Sequence, residues 1–162
     1  MADVSGTATP TLEPAPPAGP PARPMGGPSG PRAGFWRRCG ALFVDFIVLS
    51  VVDGVLIAAL RPSIVTYYAL AWAVAWAYYI SLEGGRRGQT VGKMALGIRI
   101  IDFRAGGPIG YGRAFVRQLV KIFSGAAILL GYLWMLWDDE RQTWHDKAAR
   151  DVVVPVTAYP VD

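Results

Sequence analysis

Residues 38–60, RCGALFVDFIVLSVVDGVLIAAL, follow Arg37 as an almost uninterrupted apolar run that contains two carboxylates, Asp45 and Asp53. From residue 41 to residue 60 the run can cross the ~30 Å hydrocarbon layer as one helix at ~1.5 Å of rise per residue. A carboxylate near the centre of such a helix costs roughly 2.5–3.5 kcal/mol on insertion scales, so Asp45 must be paired, protonated or turned toward water. The stretch predicts a membrane helix with a buried polar site, and it names no ligand.

Ahead of this run, residues 1–33 hold most of the chain's 13 prolines and no apolar segment. Such a composition cannot bury enough surface to offset its ordering entropy, which predicts a disordered, partly polyproline II tail. The basic start, apolar core and small-residue cleavage site of a secretory signal are not found in that order, so the first apolar helix is expected to act as the insertion signal. Its proline runs could dock a partner, but a solvated leader accounts for them more simply.

Behind the run lies a second apolar stretch over about 62–82, separated from the first by Arg61 alone. Pro62 suits a helix start, where its missing N–H costs nothing. The two stretches therefore predict a tight transmembrane hairpin. Ala69, Ala73 and Ala77 form a small-residue stripe expected to pack on the first helix. Trp72 and Trp76 lie beside it, facing lipid or a helix neighbour unless they line a cation path, and Tyr78 and Tyr79 suit the headgroup level.

The 52% hydrophobic content and mean hydropathy of +0.31 fit a small helical membrane protein. The net charge of +4 does not point to nucleic acid, because the basic residues flank the apolar segments. Their distribution, with Arg61 alone between the spans, predicts a multi-pass plasma membrane protein with a cytoplasmic N-terminus and a cytoplasmic 83–117 segment. Cys39 is the only cysteine and His145 the only histidine, too few for a zinc site, so neither a metal nor a cofactor is expected.

In the cytoplasmic segment, Gly88-Gln89-Thr90-Val91-Gly92-Lys93 approaches a phosphate loop but has three residues between its glycines rather than four, and Met94 where Ser or Thr should follow the lysine. Residues 95–102 and 151–154 are rich in β-branched side chains and read as short strands, which must share one side of the membrane if they pair. A third apolar stretch, about 119–137, contains Lys121, Gly125 and Gly131. Its length permits one crossing or a re-entrant segment, and the strand argument favours the latter with a cytoplasmic C-terminus. The layout is thus a 1–33 tail, a 34–155 membrane domain of all-α class with a small β-rich element, and a 156–162 tail.

Arg38 and Asp45, seven positions apart, share a helix face, with Asp53 about 80° further round. Arg38 through water, or Lys121 from the third stretch, could offset the desolvation of Asp45. His145, Asp146 and Lys147 form a second titratable group near the C-terminus.

Three ordered motifs resemble the RDD family of small bacterial membrane proteins. Arg38 and Asp45 match its Arg and first Asp, the 88–102 region is similar to its Gly-x-Thr-x-Gly-Lys segment, and Arg141-Gln142-Thr143-Trp144-His145-Asp146-Lys147 resembles its C-terminal signature, with Asp146 as the second Asp. Asp151, where a Thr is often found, and Asp53 depart from the pattern. The resemblance implies a bundle of a few membrane helices and no reaction. Two functions then compete. In one, an ion or solute is transported through a site of Arg38, Asp45, Asp146, His145, Asp53 and Lys121, which would require an oligomer. In the other, the same ion pairs lock a non-transporting scaffold together. The expected partners are the bilayer and either further copies of the chain or another membrane protein, and no enzyme activity is expected because nothing in the sequence unites Cys39 with His145.

Overall fold

The structure is a computed structural model, which describes residues 30–126 and 130–160. The proline-rich tail expected over 1–33 lies almost wholly outside the described residues. Its last positions belong to the packed body: Ala33 is buried and donates its N–H to the Val153 carbonyl at 2.9 Å, and Arg32 pairs with Glu140 at 2.6 Å.

Two long helices dominate. Helix α1 spans Phe35–Leu60 and α2 spans Ile64–Gly84. Arg61 turns the chain in the left-handed region, and the Ser63 hydroxyl caps α2 by accepting from the Thr66 N–H. Both are long and apolar enough to cross a membrane, and no other helix among the described residues is. Phe43, Phe46, Val55 and Val65 are more than 60% exposed on them, an apolar surface that water solvates poorly.

The hairpin is looser than its alanine stripe suggested. Ala69, Ala73 and Ala77 are exposed, not packed on α1. Helix α2 instead packs along α4 (Gly110–Ala126), with Trp76 edge-on to Phe115 at 5.4 Å, while α1 packs on α3 (Val91–Ala95). The polar residues explain the choice. Glu83 ends α2 and Asp45 lies in α1, and each must meet donors carried by the elements that follow.

Strands β1 (Ile98–Asp102) and β2 (Asp151–Pro155) pair antiparallel, from Ile98 opposite Pro155 to Asp102 opposite Asp151. Both are wholly buried, and Ile98, Ile100 and Val153 join Ala41 and Ala114 in the main apolar core.

The 119–137 stretch is not a single crossing helix. Its first part belongs to α4, and after residues 127–129, which lie outside the described set, come α5 (Leu130–Leu133) and a 3-10 turn, Trp134–Leu136. Helix α4 is amphipathic the wrong way round for water: Ala114, Arg117, Gln118 and Ser124 are buried, whereas Phe115, Ile122 and Phe123 are exposed. Beyond its exposed first turns with Arg113, the helix turns Arg117 and Lys121 inward and its apolar side chains out, which suits a membrane boundary, and a full crossing would carry those charges through lipid. Helix α6 (Trp144–Ala149) completes the body against α4.

Candidate functional site

The Gly-Gln-Thr-Val-Gly-Lys segment folds onto α1 and delivers donors to Asp45. Thr90 caps α3, accepting from the Lys93 N–H at 3.3 Å, and its own hydroxyl donates to Asp45 Oδ2 at 2.6 Å. The Gly92 N–H and the Tyr78 hydroxyl both donate to Asp45 Oδ1 at 2.7 Å, and Tyr78 in turn accepts from the Val91 N–H at 3.0 Å. Asp45 is completely buried. Neither Arg38 nor Lys121 reaches it, so the sequence expectation of a cationic partner is corrected: neutral hydroxyls and a backbone N–H satisfy this carboxylate. Gly92 is required here because a Cβ would run into the Ala41 carbonyl oxygen and come within 2.9 Å of Asp45 Cγ. What resembles a phosphate loop in sequence thus cradles an anion that the protein itself supplies.

Arg38 instead reaches the C-terminal signature. Its Nη1 donates to Asp146 Oδ2 at 2.5 Å and its Nη2 to the Arg141 carbonyl at 2.8 Å. Asp146 sits there because Thr143 and Asp146 form a capping box at the start of α6, with the Thr143 N–H donating to Asp146 Oδ2 at 3.0 Å. The other oxygen, Oδ1, accepts from Arg117 Nη1 at 2.5 Å. Arg117 also donates to Asp151 and, through Nε, to Glu83 Oε2 at 3.2 Å. Glu83 is bridged further by Lys93 at 2.7 Å and Lys121 at 3.1 Å. Since Lys93 follows the two residues that hold Asp45, one short loop ties the Asp45 cage to the charge cluster.

Electrostatics follow from burial. Desolvation would raise Asp146, yet Arg117 and Arg38 outweigh it and hold its carboxyl well below the usual range. Asp151 goes the other way: burial, opposed by Arg117 and reinforced by Asp146, pushes it up to about 7. Burial also holds His145 well below 6.5 despite Asp146 beside it, so the ring is neutral at pH 7.

Of the sequence-selected residues, Arg38, Asp146, His145 and Lys121 are gathered around one region, Asp45 occupies its own cage, and Asp53 joins neither. Glu83, Arg117 and Asp151 were not selected, although a carboxylate closing an apolar helix, and an arginine sharing a helix face with Lys121 beside exposed apolar residues, are signals of buried pairing. A cavity of about 410 Å³ opens beside the cluster, with Arg38, Lys93, Arg117, Lys121 and His145 on its wall. Cys39 also lines it, but no hydrogen bond joins Cys39 to His145 among the described residues. These residues also form no cluster of His, Cys, Asp and Glu able to hold a metal ion.

The family model for the RDD family matches residues 32–150, which covers both ends of the Arg38–Asp146 pair. Over 89 residues the chain is 37% identical to the proline-rich antigen of Mycobacterium leprae (strain TN), covering 53% of this chain and 36% of that protein. A proline-rich antigen homolog of Mycobacterium tuberculosis (strain ATCC 25618 / H37Rv) is 37% identical over 87 residues, covering 54% and 35% of the two chains. YxaI of Bacillus subtilis (strain 168) is 26% identical over 147 residues, covering 75% of this chain and 96% of its own length. The chain thus spans about a third of the length of the mycobacterial relatives. No solved structure matches it. Because the family match takes in most of the chain, from residue 32 to residue 150, the chain belongs to the RDD family.

Proposed function

We propose that this chain is a non-transporting membrane scaffold, in which the Arg38–Asp146–Arg117 chain locks the β1–β2 cap and α6 onto a plasma membrane hairpin. The observation that carries the reading is the saturation of Asp45. With three donors on its two oxygens and no exposure, it presents no face to a passing cation. The N-terminus and the cap lie on the cytoplasmic side, supported by the bases that flank both helices and by the pairing of the strands on one side. The 119–137 stretch rests at the membrane boundary without crossing it. The scaffold has no enzymatic role and uses no cofactor. Its partner is another copy of the chain or another membrane protein, met through the exposed faces of α1 and α2.

Reconstituted, correctly oriented protein is expected to leave a pH gradient intact when Na⁺, K⁺ or organic solutes are added to proteoliposomes. Asp45→Asn is expected to weaken folding or partner binding and to alter no flux. A cation-dependent flux in the wild type that disappears in a well-folded Asp45→Asn variant would overturn the scaffold reading in favour of ion transport.

A further inference from the structure

The charge balance around the cavity is uneven. Arg38, Lys93, Arg117 and Lys121 all lie on its wall, whereas the three carboxylates that pair with them, Glu83, Asp146 and Asp151, do not. Four cations therefore face three carboxylates. The excess grows wherever Asp151 is protonated, which its environment favours up to about pH 7. Each cation has a carboxylate partner, but the cluster keeps one net positive charge, which an anion in the cavity would balance.

A second feature points the same way. His145 is 5% exposed and lines the cavity, and its Nδ1 has no hydrogen-bond partner. An unpartnered buried ring nitrogen costs about 1–3 kcal/mol unless something fills its place. Apart from Thr143, Tyr132 and Cys39 the rest of the wall is apolar, including Phe35, Leu42, Leu133 and Met135. Leu42 is also exposed on the outer surface of α1, so the apolar wall continues to the face that the hairpin presents to lipid. A cationic end joined to an apolar slot at the membrane boundary matches one kind of molecule, an anionic head with a hydrocarbon tail.

We propose that this cavity binds the phosphate headgroup of an acidic membrane lipid, with the phosphate against Arg117, Lys121 and His145 and the start of the acyl chain along Phe35 and Leu42. The volume fits a headgroup and its first methylene groups rather than a whole lipid. The lipid would add a bond between α1, α4 and α6 through Arg117, whose Nη1 and Nε already hold Asp146, Asp151 and Glu83, while leaving Arg38 to Asp146. Its test reads alkylation and not flux, so it can fail or succeed apart from the scaffold reading.

Cys39, the chain's only cysteine, lines the same cavity and reports on its occupancy. The test follows alkylation of Cys39 by iodoacetamide in the full chain in neutral detergent. The probes are dioctanoyl phosphatidic acid, dioctanoyl phosphatidylcholine and inorganic phosphate. Phosphatidic acid is expected to slow alkylation about tenfold, phosphatidylcholine and phosphate hardly at all, because choline cancels the charge of its phosphate and adds bulk there, and free phosphate has no acyl chain. Lys121→Gln should raise the half-protecting concentration about tenfold, and Lys121→Arg should restore it. Equal protection by the two lipids, or none by either, would overturn the proposal even if Lys121→Gln failed to fold. Protection by inorganic phosphate as strong as that by phosphatidic acid would overturn the lipid assignment and leave a free-anion site.

Discussion

Asp45 and Asp146 are both wholly buried carboxylates, yet they are satisfied in opposite ways. Asp45 accepts from two hydroxyls and one backbone N–H, so its hold on the 88–93 loop is set by fit. Asp146 lies between two guanidiniums, so its hold on α1 and α4 is set by charge. The contrast shows why only one of these two aspartates is paired with arginines in this chain. A membrane helix can keep a carboxylate when neighbouring donors enclose it, whereas a residue joining three elements needs the strength of charge-assisted bonds.

The largest effect that separates the two should come from Asp146→Ala. It leaves Arg38 and Arg117 without their shared partner, and unfolding in detergent should show a loss of about 3–5 kcal/mol. A loss no larger than that of an exposed site would erase the distinction. Asp45→Ala should cost less, roughly 1–3 kcal/mol, because the donors it abandons are neutral. Gly92→Ala should fall in the same range, about 1–3 kcal/mol, through collision with the Ala41 carbonyl rather than through loss of charge. Hydrogen exchange localised to the 88–95 loop in both variants would sharpen the comparison, whereas exchange spread through α6 would break it.

Asp151 provides a subtler test through pH. Its folded pKa, about 7, lies above its ordinary 3.8, so between these values the folded state holds a proton that the unfolded state has released. Its contribution is full below pH 3.8 and is lost as pH rises through about 7. His145, depressed on folding, works against this trend below pH 6.5, gaining stability as pH rises. Comparing wild type with Asp151→Asn cancels the histidine. The variant should lose the decline in stability between pH 4 and 7, and an unchanged pH profile would contradict the raised pKa. Ala73→Leu, on the exposed alanine stripe of α2, should change the stability of a single chain by no more than about 0.5 kcal/mol.

Much of this architecture was legible in the sequence because it depends on length and local pattern. The two apolar runs gave α1 and α2, Pro62 marked the start of the second, and the β-branched runs gave both strands. Motif resemblance singled out Arg38 and Asp146, but the helix spacing set Arg38 beside Asp45, since nothing local connects Arg38 to a residue so far along the chain. Failures came where tertiary partners decide. The alanine stripe has the periodicity of a helix interface, but Glu83 and Trp76 draw α2 toward α4 instead. Similarly, 119–137 has the length of a crossing, but Arg117 and Lys121 anchor its start to Glu83. Asp45 was expected to need a cation because composition shows where charges are and not which hydroxyls face them.

A double-mutant cycle across the Arg38–Asp146 pair, using Arg38→Met and Asp146→Asn with unfolding of the full chain in detergent, tests the lock most directly. The account predicts that the second substitution costs much less once the first is made, with a coupling energy of roughly 2 kcal/mol. Additive losses would mean that the two residues act separately and that no lock joins α1 to α6.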